Sequence, residues 1–224
     1  MDMSQQTRLK AGEFNTDKSQ AYLDNYESWF SRLRDKKVAV LELGVLDGGS
    51  LIMWSKYFKK GTIVGLDIND IRLPSSYKNI KVYKGLQQDY TLLQKMFQET
   101  APKGFDIIID DASHLGEQTS LSFKYLFNNC LRPSGIYVVE DWGTGYWSTY
   151  PDGKKFDNRK SAVGKVGRRG KFPSHEYGMV GFVKQLVDEQ GMRDITSSFG
   201  VPPFRQSMFN KMIICPGQVA VFKT

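Results

Sequence analysis

The sequence predicts a doubly wound α/β fold, with a mainly parallel sheet of seven strands that ends in a C-terminal antiparallel hairpin. Short apolar runs alternate with helical patterns from about residue 38 onward, which is typical of βαβ units. Runs such as Ile107-Ile108-Ile109 lack polar alternation, as expected for strands covered by helices on both faces. The last two apolar runs are joined by Pro216-Gly217, a turn dipeptide that favours a hairpin.

The predicted elements follow one another without an internal repeat. Strands are predicted over 38–43, 62–67, 80–83, 105–110, 135–140, 208–215 and 218–222, and helices over 50–58, 90–99, 115–129 and 179–190. We expect a single domain over 1–224, with 1–36 as a helical lead-in and 151–175 as a basic loop insertion. In this order the fourth and fifth strands are neighbours, so their carboxyl ends meet at one edge of the sheet.

Composition excludes several classes of protein. The 224 residues are 40% hydrophobic, 13% aromatic and 25% charged, which excludes disordered and collagen-like chains. No run approaches the roughly 20 apolar residues of a membrane span, and residues 1–6 lack the apolar core of a secretory signal. Cys130 and Cys215 lack the spacing of a zinc site and are interpreted as core residues. We therefore expect a cytoplasmic protein without a membrane partner.

The net charge of +7 is concentrated in one segment of the chain. Residues 152–171 hold eight basic and two acidic side chains. Because the rest of the chain is nearly neutral, this pattern favours a cationic flap on a globular domain over a surface that coats nucleic acid. His175, which follows this segment, is interpreted as an exposed loop residue without a function.

A glycine-bearing loop over residues 42–50 follows the first predicted strand and opens a helix. Open α/β sheets bind adenine-containing ligands at this position, and Gly44 and Gly48 allow the backbone to turn sharply beside one. The spacing differs from that of pyrophosphate-binding loops, and the preceding acid, Glu42, suits a cationic ligand such as S-adenosylmethionine. Asp67 is predicted to accept hydrogen bonds from a ribose diol. The alternative is an ordinary strand-to-helix turn in which Asp67 caps a helix.

Acidic residues follow two neighbouring strands at the points where they end. Asp110 and Asp111 follow the fourth strand, and Glu140 and Asp141 follow the fifth. Their carboxylates would repel one another without a cation, and an all-oxygen set suits Mg²⁺, Mn²⁺ or Ca²⁺. Since consecutive residues of an extended chain point to opposite sides, one of the first pair is expected to face the cofactor and the other the metal. His114 is the candidate general base, and the alternative is a helix cap beside solvated loop ends.

These motifs together resemble the class I S-adenosylmethionine-dependent methyltransferases, and among them the metal-dependent sugar O-methyltransferases of macrolide tailoring. The resemblance runs from about residue 15 to 191 and rests on 16–18, 42–51, Trp54, 65–68, 110–114, 140–141 and 182–188. It implies a Rossmann-like fold, Mg²⁺ or Mn²⁺ on Asp111, Glu140 and Asp141, and His114 as the base. The residues expected to contact S-adenosylmethionine are Thr16, Glu42, Gly44, Gly48, Ser50, Asp67, Gln87, Asp89 and Asp110.

The chain departs from the family pattern in two places. Leu86 stands where the family has an acid, although Gln87 and Asp89 still match. Residues 142–147 also differ from the family segment that follows the second acidic pair, so a different acceptor pocket is expected.

Three functions are compatible with these motifs. The first is metal-assisted O-methylation of a sugar hydroxyl or a similar small polyol, with a glycosylated or anionic small molecule as acceptor. The second is a catechol-type O-methyltransferase, in which vicinal phenolic oxygens contact the metal. The third is a binding module whose basic loop holds nucleic acid or an anionic glycan, with binding that weakens steeply as salt rises. Nucleic acid is the less favoured partner, and assembly into a homo-oligomer is left open.

Overall fold

The computed structural model describes residues 8–156, 175–191 and 207–224. Within these ranges the helices are α1 Gln20–Phe30, α2 Gly49–Tyr57, α3 Tyr90–Thr100, α4 Gly116–Asn129 and α5 Gly178–Gly191. The strands are β1 Ala39–Leu43, β2 Thr62–Asp67, β3 Ile80–Lys84, β4 Phe105–Asp110, β5 Leu131–Glu140, β6 Phe209–Cys215 and β7 Gln218–Lys223. Short 3₁₀ helices cover Ser31–Leu33, Trp142–Tyr146 and Gly153–Lys155. Of the predicted lead-in, only 20–33 is helical in the part that the structure describes.

The strands described by the structure form one seven-stranded sheet in the order β3-β2-β1-β4-β5-β7-β6. The strands from β3 to β5 are parallel, and β7 pairs antiparallel with both β5 and β6. The predicted fold class is therefore confirmed. The order reverses between β1 and β4, which is the point where open α/β sheets bind ligands. Asp110 pairs with Leu43 on one side and with Val139 on the other, so the carboxyl ends of β1, β4 and β5 lie side by side.

Alternate residues of the central strands enter two separate cores, one on each face of the sheet. Leu41 and Ile108 pack with α3, α4 and α5, whereas Val40 and Ile107 pack with α1 and α2. All four side chains are fully buried. Burial on both faces explains why these strands show apolar runs rather than a period of two.

The strand β5 is longer than predicted. The Pro133-Ser134-Gly135 sequence resembles a turn, and the strand was expected to begin at residue 135. Leu131 nevertheless pairs with Phe105, and an irregularity in the ladder absorbs the extra residues before regular pairing resumes. Ser134 has a φ of 61°, which is consistent with a bulge there rather than a chain reversal.

His175 is not exposed, contrary to the prediction. Its side chain is buried, and its ring contacts those of Tyr146, Phe156 and Tyr177 at centroid distances of 4.8, 4.8 and 5.7 Å. Burial lowers the pKa of this imidazole. Most of the predicted basic loop, residues 157–174, lies outside the described residues. Among the helices of the described ranges, none is both long and apolar enough to cross a bilayer.

Candidate active site and metal centre

The loop between β1 and α2 is packed directly against the end of β4. Gly44 has a φ of 78°, and its amide donates a hydrogen bond of 2.8 Å to the carbonyl of Leu66. A Cβ at this position would lie 2.6 Å from Cα of Ala112 and closer still to the carbonyl oxygen of Asp111. Only glycine combines this conformation with so close an approach. The predicted cofactor loop and the first predicted metal ligand are therefore in contact.

The carboxylate of Asp67 holds this loop in place. One oxygen accepts hydrogen bonds from the amides of Val45 and Leu46 at 2.9 and 3.2 Å, and the other accepts one from Asn69 at 2.8 Å. The residue lies at the end of β2, as predicted, and it lines a cavity described below. Its contact with a ribose stays a prediction.

A cavity of about 270 Å³ opens at the carboxyl ends of the parallel strands. It brings together Gly44, Asp67 and Gln87 of the predicted cofactor set, with apolar walls from Leu66 and Ala112. A mostly apolar cavity with a few polar groups is the usual environment of an adenine-containing ligand. Asp67, at the end of β2, and Gln87 thus line the same cavity.

Asp110 points away from this space into a buried polar network. Its carboxylate accepts hydrogen bonds from Ser122 at 2.8 Å, Tyr137 at 3.0 Å and Gln87 at 3.1 Å. The amide oxygen of Gln87 in turn accepts one from Ser113 at 3.0 Å. Burial raises the pKa of Asp110 to about 6. The network holds the strand end and the segment after it in register, and direct contact of Asp110 with a cofactor stays a prediction.

The remaining residues of the predicted cofactor set have protein partners. The hydroxyl of Ser50 donates to Glu42 at 2.7 Å, and both side chains are buried on the α2 side of β1. Asp89 accepts a hydrogen bond of 3.1 Å from the amide of Leu92 and thereby caps α3. Thr16 lines a neighbouring cavity of about 360 Å³, whereas Asp89 lines neither this cavity nor the smaller one.

The predicted metal ligands surround a third cavity, of about 250 Å³. Asp111, Glu140 and Asp141 all line it, as the pairing of β4 with β5 requires. Asp111 and Asp141 are partly exposed, whereas Glu140 is buried. The structure therefore brings together the acids that the sequence placed at two neighbouring strand ends.

His114 faces two of these acids. Its Nε2 atom lies 3.9 Å from Oδ1 of Asp111 and 3.9 Å from Oδ2 of Asp141. His114 and Asp141 have φ values of 52° and 53°, in the left-handed region that non-glycine residues rarely adopt. Such strain, on the order of 1–3 kcal/mol per residue, persists where the surroundings enforce it, and it concentrates at functional sites.

Lys18 is a site residue to which the sequence analysis assigned no role. Its side chain is 2% exposed, and Nζ lies 2.8 Å from Asp111, 2.8 Å from Glu140 and 3.3 Å from Glu42. Burial alone would lower the pKa of Lys18, but the charges of these three acids raise it well above its usual value. The ammonium therefore stays charged. The only signal in the sequence was its place in the Thr16-Asp17-Lys18 segment, which matches the family.

Two tyrosines of α1 complete the contacts to the acids. The hydroxyl of Tyr22 donates to Oδ1 of Asp141 at 2.6 Å, and that of Tyr26 donates to Glu140. Burial and the hydrogen bond to Asp141 raise the pKa of Tyr22, so the phenol keeps its proton and acts as a donor. No sequence motif pointed to these residues, because an aromatic side chain at helical spacing is usually a core residue.

The donor set fits a hard divalent cation. Asp111, His114 and Asp141 each offer one ligand atom, and these atoms lie within 4.8 Å of one another. The 3.9 Å gaps to the imidazole exceed hydrogen-bond length. The imidazole therefore makes no hydrogen bond to either acid, and the carboxylate oxygens that face it are suitable ligands for an ion bound at about 2.1 Å. With Glu140 on the adjoining cavity wall, the residues suit Mg²⁺ or Mn²⁺.

Comparison with known proteins agrees with this geometry, although no model of a protein family matches the chain. The chain is 34% identical over 190 residues to 8-demethyl-8-alpha-L-rhamnosyl tetracenomycin-C 2'-O-methyltransferase of Streptomyces olivaceus, a match that covers 81% of the chain and 44% of the relative. It is 33% identical over 189 residues to demethylmacrocin O-methyltransferase of Streptomyces fradiae, covering 81% and 43%. The chain thus spans less than half the length of these curated relatives.

A solved structure extends the comparison to three dimensions. The MycE methyltransferase of the mycinamycin biosynthetic pathway, in complex with Mg and SAH, superimposes with a TM-score of 0.66 at 29% identity. The match covers 90% of this chain and 49% of that one. The resemblance to the sugar O-methyltransferases is thereby confirmed. A ribosomal RNA methyltransferase of Plasmodium falciparum, with a TM-score of 0.53 at 14% identity, shares the class I fold alone.

An aromatic side chain, Tyr150, lies next to His114, and Trp147 of the segment that departs from the family pattern lies beside Tyr150. The ring of Tyr150 lies 6.0 Å from that of His114 and 5.8 Å from that of Trp147. Tyr150 lines the 360 Å³ cavity together with Asp111 and His114, and Trp147 is 55% exposed. A half-buried aromatic ring beside a candidate base, with an exposed ring next to it, is a suitable contact for an acceptor.

Proposed function

We propose that the protein is an S-adenosylmethionine-dependent, divalent-metal-assisted O-methyltransferase that acts on a sugar hydroxyl of a small glycosylated acceptor. One observation carries the proposal: the glycine loop at the end of β1 contacts the backbone of Asp111, so donor and metal sites share an edge of the sheet. The Streptomyces olivaceus relative methylates a rhamnosyl compound, as its name states. Because the chain spans less than half of that relative, the relative's activity is inferred for the chain.

The methyl donor is proposed to bind along the cavity lined by Gly44, Asp67 and Gln87. Gly44 lets the loop pack against the backbone of Asp111 and Ala112, and Asp67 holds the amides of the loop in place. Glu42 lies behind the loop, where it is buried and contacts Lys18 and Ser50. The spacing of the loop glycines, which differs from that of pyrophosphate-binding loops, favours S-adenosylmethionine over a dinucleotide.

The proton of the acceptor hydroxyl is proposed to pass to His114. Its imidazole lies between Asp111 and Asp141, and both carboxylates stabilise the imidazolium that forms. Their partial burial strengthens this interaction relative to bulk water. When bound, a divalent cation supplies Lewis acidity that lowers the pKa of the hydroxyl, and S-adenosylmethionine supplies the methyl group. The products of one turnover are the methyl ether, S-adenosylhomocysteine and a proton.

The acceptor is proposed to enter from the side of Tyr150 and Trp147. Tyr150 lies beside His114, Trp147 lies beside Tyr150, and such rings pack against the apolar face of a sugar. We further propose that the chain acts as one catalytic domain, since the proposed donor cavity and the proposed metal site both lie at the ends of strands of a single sheet. Charged residues of the basic loop are proposed to attract an anionic acceptor.

Calorimetry with S-adenosylmethionine, with and without Mg²⁺, followed by an acceptor panel tests the proposal. The panel contains rhamnosides and other deoxysugar glycosides, their aglycones and catechol. We expect saturable donor binding and methyl transfer to glycosides that chelator abolishes. Methyl transfer to catechol alone would favour the alternative hypothesis, a catechol-type O-methyltransferase. Full activity in excess chelator, or absence of donor binding, would overturn the proposed function.

A further inference from the structure

A polar face on the N-terminal segment contacts each acid predicted to hold the metal. Lys18, Tyr22 and Tyr26 are spaced by four residues, and the two tyrosines lie one turn apart on α1. Ser19 caps this helix by accepting a hydrogen bond from the amide of Tyr22 at 3.3 Å, which fixes where the face begins.

Asp111 and Asp141, the two partly exposed aspartates, each make different contacts with their two carboxylate oxygens. In Asp111, Oδ2 accepts a hydrogen bond from Lys18, while Oδ1 faces Nε2 of His114. In Asp141, Oδ1 accepts one from Tyr22, while Oδ2 faces the same imidazole nitrogen. One oxygen of each carboxylate is therefore held by the polar face, and the other is directed to the place where chemistry is proposed.

We propose that Lys18 and Tyr22 are positioning residues of the metal centre, each of which holds one oxygen of an aspartate so that the other oxygen faces His114. This inference rests on the proposed function. Lys18 contacts Glu42, Glu140 and Asp111, and its single positive charge offsets part of the negative charge of these acids. The oxygens of Asp111 and Asp141 that face His114 are then left for a divalent ion. Tyr22 keeps the second of these acids in the orientation that the ion requires.

Substitution of Lys18 and substitution of Tyr22 are expected to change the Mn²⁺ affinity in opposite directions. Lys18→Met removes a positive charge close to the ion, so Mn²⁺ affinity rises about tenfold or more. The Asp111 carboxylate also loses the hydrogen bond that orients it, so kcat falls about 10–100-fold. Tyr22→Phe removes only a hydroxyl group, so Mn²⁺ affinity and kcat both fall by about 10-fold or more. A residue that merely supported the fold would not tighten metal binding while turnover falls.

The experiment measures Mn²⁺ binding by electron paramagnetic resonance, kcat and KM with a glycoside that the wild type methylates, and the melting temperature. Lys37→Met and Tyr90→Phe are the matched controls, since both side chains are exposed and line none of the three cavities. We expect both controls to match the wild type in metal binding and turnover.

Folded Lys18→Met protein with unchanged or weaker Mn²⁺ binding would overturn the role of Lys18. Tyr22→Phe protein with wild-type metal affinity and kcat would overturn the role of Tyr22. If Lys18→Met does not fold, Tyr22→Phe decides alone, because loss of one partly exposed hydroxyl leaves the core intact. A wild type that binds no Mn²⁺ and transfers no methyl group would instead overturn the proposed function.

Discussion

Gly44→Ala is expected to disrupt the contact between the cofactor loop and the first metal ligand. The residue has a φ of 78°, and its α-carbon faces the backbone of Asp111 and Ala112. An added methyl group would lie 2.6 Å from Cα of Ala112, well inside van der Waals contact. Since the obstacle is backbone rather than a flexible side chain, either β4 or the loop must move.

Two contributions set the size of the effect. A left-handed conformation costs a non-glycine residue about 1–2 kcal/mol. Overpacking against an element that cannot yield adds about 1–3 kcal/mol. The sum of about 2–5 kcal/mol lowers the melting temperature of a chain of this size by about 4–20 °C. Displacement of Asp111 also weakens metal binding, because its carboxylate no longer faces His114.

Thermal unfolding followed by circular dichroism, with matched glycine variants, separates these contributions. Gly12 has a φ of 80° with no atom within 4 Å of an added Cβ, so Gly12→Ala reports strain alone. Gly143 has neither the positive φ nor a neighbour, so Gly143→Ala shifts the melting temperature by less than about 2 °C. If Gly44→Ala melted no lower than Gly12→Ala and bound S-adenosylmethionine normally, the reasoning from the backbone contact would be refuted.

Three further outcomes are expected. His114→Ala lowers kcat by about 10²–10⁴-fold with Mn²⁺ affinity unchanged, whereas lost metal binding would make the imidazole a ligand rather than the base. Tyr150→Ala raises KM for the glycoside about two- to tenfold without affecting donor affinity measured by calorimetry; an unchanged KM would exclude the proposed entry side. Burial lowers the pKa of His175, so the unfolded chain binds more protons than the native one below pH about 6.5. The contribution of His175 to the free energy of unfolding therefore falls as the pH drops through about 6.5; in urea denaturation the difference between the wild type and His175→Phe should shift in favour of the variant as pH falls, and a constant difference would contradict this.

The strands and the acid cluster could be predicted because their signals are local. Apolar runs such as 107–109 report burial on both faces of a strand, and parallel order brings the ends of β4 and β5 together. Asp111, Glu140 and Asp141 consequently line one cavity, as the pattern indicated. The start of β5 and the burial of His175 were not predictable, because they depend on Phe105 and on aromatic rings from a separate segment.

The roles of individual polar residues needed long-range contacts. Asp67 was predicted as a ribose contact, and its carboxylate also holds the amides of the loop after β1. Asp110 and Asp111 do point to different sides, but Asp110 enters a buried network with Ser122 and Tyr137. In each case a hydrogen bond to another element determines the orientation, and propensity does not encode such a bond.

By itself, the sequence determined the order of elements, the doubly wound sheet and the chemistry available at its carboxyl edge, since hydrophobic periodicity and chain order suffice for these. Only the tertiary structure decided how that chemistry is arranged. Lys18 lies 93 residues from Asp111, and Tyr22 lies 119 residues from Asp141. Packing of α1 against the sheet places a buried positive charge and a phenol donor among the acids, and no local pattern specifies where such groups meet.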